Sequence, residues 1–198
     1  GLTKLGGGTL TLAATNTYAG GTQINGGTLR ISASGTLGGA TGTLGFSGGT
    51  LQLGADLSLA QAVTLGADGG TVDTNGYALS LVTGPAGTGA LSKTGAGTLT
   101  LGGAATYSGG TTLSAGTLVV AHDAALGTGA LTLAGGSLRS DGTLRTLGNA
   151  ITLAADATLD GSGPLALAGA ITGPHALVKT GSGTLTLTGA NAYTGGTT

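Results

Sequence analysis

Seven carboxylates, two imidazoles, six basic side chains and four tyrosines carry all the ionisable side-chain chemistry of this 198-residue sequence. Every carboxylate is an aspartate, and there is no cysteine, so disulfides and thiolate-held metals are excluded. His122 and His175 have no second histidine at ligand spacing, which predicts turn residues rather than a metal pair. Gly45-Phe46-Ser47-Gly48-Gly49 fits the G-x-S-x-G nucleophile pattern. That chemistry needs a strand, a sharp turn, a following helix and a His with its acid, none of which is predicted around Ser47.

A glycan-cleaving site would need two carboxylates about 5 to 9.5 Å apart. Asp73 and Asp160 are candidates, yet they occupy corresponding places in an internal repeat, and four stacked coils would separate them by ~19 Å. Asp156 and Asp160 would lie ~13 Å apart on an extended chain. Asp68, Asp73 and Arg145 remain a cluster only if the loops bring them together. Gly69-Gly70-Thr71-Val72-Asp73 has Val72 where a calcium-binding nonapeptide requires glycine and does not recur in tandem. No cofactor and no metal are expected.

The rest of the sequence reads as scaffold. There are 45 glycines, charged residues make up 7%, the net charge is −1, and the mean hydropathy is +0.38. Six scattered basic residues give no cationic surface for phosphates, and five aromatics give little stacking platform, so nucleic acid is not an expected partner. No apolar run reaches about 18 residues, so no direct membrane insertion of this segment is expected.

A block recurs three times. It runs from Leu2 and Lys4 through Thr9-Leu10-Thr11-Leu12 to Tyr18 and Gly20-Gly21-Thr22. It returns from Lys93 through Thr98-Leu99-Thr100-Leu101 to Tyr107 and Thr111, and from Lys179 through Thr184-Leu185-Thr186-Leu187 to Tyr193 and Thr197. Lys4, Lys93 and Lys179 stand 89 and 86 residues apart, and each precedes its tyrosine by 14 positions. The stretches between blocks also match, Val63-Thr64-Leu65 with Ile151-Thr152-Leu153 for example. The whole chain is therefore built on a unit of roughly 87 residues.

Short alternating runs such as Thr9 to Leu12, Thr28 to Ile31, Thr50 to Leu53 and Leu79 to Leu81 are bounded by Gly, Asn, Asp and Ser. Leu57 to Leu65 could pass for a helix, but its counterpart Leu144 to Leu153 contains Gly148-Asn149, a turn signal, and both are read as non-helical. Strands this short bury a face only by stacking coil on coil. The expected fold is all-β: a right-handed parallel β-helix of nine or ten coils, about four per unit, spanning 1–198 as one continuous segment. Leu10, Leu12, Leu99, Leu101, Leu185 and Leu187 should point inward while their threonine neighbours face water. The three lysines are expected at solvated strand ends, and Tyr18, Tyr107 and Tyr193 over corners with their hydroxyls in water. Threonine pairs such as Thr98/Thr100 recur once per unit, too sparse for the regular two-column face of an ice binder.

The block Lys93-Thr-Gly-Ala-Gly-Thr98-Leu99-Thr100-Leu101, with Tyr107-Ser-Gly109-Gly110-Thr111-Thr112, resembles the passenger-associated transport repeat of bacterial autotransporters. The blocks lie at about 2–31, 91–120 and 177–198. The first departs from the pattern at Leu5-Gly6 and Gln23. The resemblance implies a non-enzymatic, extracellular segment of a surface rod, linked to the outer membrane through a C-terminal β-barrel that this sequence does not contain. Its implied partners are a host or neighbouring-cell surface, extracellular matrix, or other copies of itself. The sequence begins in one block and stops in another, and so reads as a window on a longer rod whose ends would associate.

Overall fold

A computed structural model describes residues 1–39 and 41–198, and it is a parallel β-solenoid of about nine turns. Alternation of leucine with threonine or serine dictates the strands: in Thr50–Leu53 and Thr98–Leu101 the leucines are buried and the hydroxyl residues half-exposed. Leu57–Leu59 and Val63–Leu65 are two strands, as are Arg145–Leu147 and Ile151–Leu153 in the counterpart. A 3-10 turn at Ser34–Leu37, which the sequence reading lacks, takes a strand's place in the second coil. Among the described residues no helix is long and apolar enough to cross a membrane.

Each coil has three sides. One side is a nine-stranded sheet running from Thr9–Leu12 through Gly70–Asp73 and Leu91–Thr94 to Ile171–Thr172. The next is a seven-stranded sheet from Leu57–Leu59 through Thr98–Leu101 to Leu177–Lys179. The third is split: five strands from Leu2–Lys4 to Ala86–Gly87, then three from Arg145–Leu147 to Leu185–Leu187. Between them residues 105–108 and 124–128 carry the stack without forming strands, with Ser108 N–H donating to Gly87 O and Thr128 N–H to Tyr107 O.

Every strand pair is parallel, and paired residues lie about one coil apart in sequence, 19 residues from Thr9 to Thr28 and 22 from Thr28 to Thr50. Backbone groups are thus satisfied from coil to coil. Inward side chains form columns, of which Leu29, Leu51, Val72, Leu113, Leu133 and Leu153 are one. Leu99 and Leu101 are fully buried, whereas Leu10, Leu12, Leu185 and Leu187 point into the same core half-buried, because the first and last coils have a neighbour on one side only.

The sequence unit does not fit a whole number of coils. Lys4 lies in a strand of the five-stranded sheet, Lys93 in the nine-stranded sheet and Lys179 in the seven-stranded sheet. Each step from block to block is four coils plus one side. Coils of about 20 residues do not divide 89 or 86, so the expectation of about four coils per unit is corrected to four and one third. Equivalent residues therefore advance by one side of the rod per unit.

Candidate functional site

The features that distinguish the blocks lie inside the rod. Lys93 belongs to the inward column, paired with Val72 on one side and Leu113 on the other, and is 0% exposed; Lys4 is 6% exposed. This corrects the expectation of solvated lysines. The cause is the corner that follows. Gly6, Gly95 and Gly181, each two residues after its lysine, have φ of +67°, +74° and +72°. This left-handed turn aims carbonyl oxygens at the core, where they need donors. Lys93 Nζ donates to the Thr94 and Gly95 carbonyls at 2.8 Å each and to Ala115 O at 3.0 Å. Lys4 makes the same three bonds, to Leu5, Gly6 and Gly26. An ammonium has three donors and no acceptor, so each cage matches it fully.

The third carbonyl comes from 22 residues on, the next coil, so each lysine ties two coils together. Half-buried Lys179 donates to the Thr180 and Gly181 carbonyls. Burial pushes the Lys93 amine down to about 8, with the Asp73 carboxylate opposing the shift. Room for the ammonium exists because Gly27 and Gly116 stand opposite it. A Cβ on Gly116 would lie 2.4 Å from Gly95 O and 2.8 Å from Lys93 Nζ.

The tyrosines are corrected likewise. Each stands where its coil has no strand, and its hydroxyl bonds the threonine four residues on: Tyr18 with Thr22 at 2.7 Å, Tyr107 with Thr111, and Tyr193 with Thr197. Tyr107 is 0% exposed and Thr111 1%. Water does not hold that hydroxyl; the threonine does, and burial pushes the phenol up to about 12. Glycines again make room, since a Cβ on Gly127 would come within 2.2 Å of Tyr107 O.

The sequence candidates for catalysis are kept apart. Ser47 lies at the corner after Leu44–Phe46, and the chain continues into strand Thr50–Leu53 rather than a helix. Asp73 ends a strand of the nine-stranded sheet and Asp160 follows Ala157–Leu159 on the seven-stranded one, so they are not stacked, a correction that follows from the fractional unit. Asp73 accepts from Gln52 Nε2 at 2.8 Å and from Asn75 N–H. Arg145 does not join Asp68 and Asp73; it pairs with Asp141 at 2.7 Å, and that bond, helped by Thr143, holds the Asp141 carboxyl well below the usual carboxylate range. Several aspartates cap strands of the next coil: Asp56 accepts from Ala78 N–H, Asp123 from Thr146 N–H and Asp156 from Ala176 N–H. His175 lies 3.7 Å from Asp156, and His122 Nδ1 accepts from Ala124 N–H. Among the described residues no group of three metal-ligating side chains occurs.

On the outside, a feature that sequence reading misses runs along the nine-stranded sheet. Thr9, Thr28, Thr50, Thr71, Ser92, Thr112, Thr132, Thr152 and Thr172 stack in one outward column, a hydroxyl on every coil. Of the threonine pairs of the blocks, Thr9/Thr11 stands on this sheet, with Thr9 in the ladder, whereas Thr98/Thr100 lie on the seven-stranded sheet and Thr186 on the split one. The ladder arises from coil register: its hydroxyl residue is the first of the strand at Thr9, Thr28 and Thr50 and the second in the six strands that follow. A shallow groove lies beside Thr100, Arg139 and Asp141 on the seven-stranded side.

The passenger-associated-transport-repeat family model matches residues 2–31, 91–120 and 177–198, the three blocks that carry the lysine cages and Tyr–Thr bonds. No curated protein and no solved structure gives a significant match.

Proposed function

We propose that this chain, a parallel β-solenoid with three matches to the passenger-associated-transport-repeat model, is an extracellular segment of an autotransporter passenger, a non-catalytic rod that projects and presents adhesive surfaces. One observation carries this reading: the three matched spans coincide with the three places where a buried lysine or its half-buried counterpart and a tyrosine lock the coils. Nine turns at ~4.8 Å give a rod roughly 43 Å long, offering long faces. A secreted self-assembling fibre is the nearest rival.

The test uses cells expressing the complete gene with an epitope inserted at Gly142, an exposed corner with open space around it. Antibody labelling of intact cells, together with loss of attachment when 1–198 is deleted, is the expected result. Labelling only after lysis contradicts an extracellular segment. Labelling in the medium alone, with fibres by microscopy, selects the rival.

A further inference from the structure

We propose that the nine-stranded side pairs with a second copy of the same chain, antiparallel and face to face, about a two-fold axis at Gln52. This deepens the proposed reading by naming a partner for one adhesive face, and it rests on that face being free in the assembled rod.

Beside the hydroxyl ladder runs a second outward column, Thr11, Arg30, Gln52, Asp73 and Thr94, on five successive coils. Its order is self-complementary. Turning a copy over about an in-plane axis perpendicular to the rod at the height of Gln52 reverses the coil order and keeps each column opposite itself. Arg30 then faces Asp73 of the other copy and Asp73 faces its Arg30, while Gln52 meets Gln52 and Thr11 meets Thr94. In the neighbouring ladder Thr28 meets Thr71, Thr9 meets Ser92 and Thr50 meets Thr50.

Within one copy Arg30 and Asp73 are two strand spacings apart, ~9.6 Å. No ion pair joins them, and Gln52 fills the space, donating to Asp73. Arg30 is exposed and Asp73 half-exposed. A parallel pairing centred on this column would set Arg30 against Arg30 and Asp73 against Asp73, and one centred between the two columns would leave both charges against threonines, so charge selects the antiparallel one. Both columns present groups that donate or accept hydrogen bonds, as an isologous polar contact requires. The five coils span roughly 24 Å, a contact well below the ~800 Å² per partner of a stable complex. A single pairing is therefore weak, and rods held on opposing surfaces would gain from many at once.

The sequence has no cysteine, so a single introduced thiol reports the pairing in the purified chain under mild oxidation. Gln52→Cys sits on the axis and forms the homodisulfide about tenfold faster than Thr152→Cys on the neighbouring hydroxyl ladder, or Thr186→Cys on another side. Adding Arg30→Asp to Gln52→Cys brings the rate down to that of the controls. Mixing that chain with one carrying Gln52→Cys and Asp73→Arg restores the fast rate, because each unlike charge again meets its partner. Equal rates at all three thiols, or a fast rate that survives Arg30→Asp, overturns the proposal. So does mixing that fails to restore the rate when both variants keep the circular dichroism of the parent.

Discussion

Lys4 and Lys93 are the same residue of the repeat, 89 positions apart, yet they stand on different sides of the rod, in the five-stranded and nine-stranded sheets respectively. Their surroundings are nonetheless the same, with three carbonyl acceptors at the same three distances. The block therefore carries its own environment with it, as a lysine, a left-handed corner glycine and a glycine opposite, and works on whichever side the coil count delivers it.

Lys93→Leu places an apolar side chain in an apolar column and should still destabilise the rod. It leaves three inward carbonyls without donors, at about 1–3 kcal/mol for each buried group that water cannot reach. The expected total is a loss of about 3 kcal/mol or more in urea unfolding, against a smaller loss for Lys179→Leu, where the cage is half-exposed and has two acceptors. Equal stability of wild type and Lys93→Leu contradicts the cage.

Gly116→Ala and Gly6→Ala separate strain from collision. Both glycines have positive φ, +69° and +67°, but only at Gly116 does a Cβ meet carbonyl oxygens and the lysine ammonium; at Gly6 it meets open space. Gly6→Ala should cost about 1 kcal/mol from backbone conformation alone. Gly116→Ala should cost severalfold more, read as the shift in urea midpoint at unchanged m.

The two buried titrating groups give stability opposite slopes with pH. The Lys93 amine is lowered to about 8 in the folded chain from an ordinary 10.5, so between those values the unfolded chain binds the extra proton and stability rises with pH. The Tyr107 phenol is raised from 10.0 to about 12, so above pH 10 the unfolded chain loses its proton first and stability falls. Chemical-denaturation midpoints should therefore rise from pH 8 and turn over near pH 10. Lys93→Met should remove the rise and leave the fall.

Tyr107→Phe keeps the ring and leaves the buried Thr111 hydroxyl without its partner, so about 1–2 kcal/mol should be lost. Tyr193→Phe, in the half-exposed equivalent, should lose little. Matching losses at the two sites would contradict the role of burial.

Much of the fold was legible because it rests on local alternation. Thr9–Leu12, Thr28–Ile31 and Thr50–Leu53 have the bounds read from sequence, and the Gly148-Asn149 turn did separate two strands. The lysines and tyrosines were misread because their usual preference is to keep a polar tip in water. What buries them is the set of carbonyls and hydroxyls that a corner places inside, which no single residue reveals. The hydroxyl ladder and the fractional unit were hidden for another reason: both depend on dividing an 89-residue spacing by a coil of about 20, and the coil length emerges only from strand register.

Spin labels on three outward positions test the rod most directly. Thr3 and Ser92 are equivalent in the repeat, while Thr9 and Ser92 are not equivalent yet share the hydroxyl ladder four coils apart, ~19 Å along the axis. With four and one third coils per unit, the Thr9→Cys/Ser92→Cys pair must give the shorter electron–electron distance, near that value, and Thr3→Cys/Ser92→Cys the longer one across two sides. The reverse order would mean that each unit closes on whole coils, and would contradict the stepping of blocks around the rod.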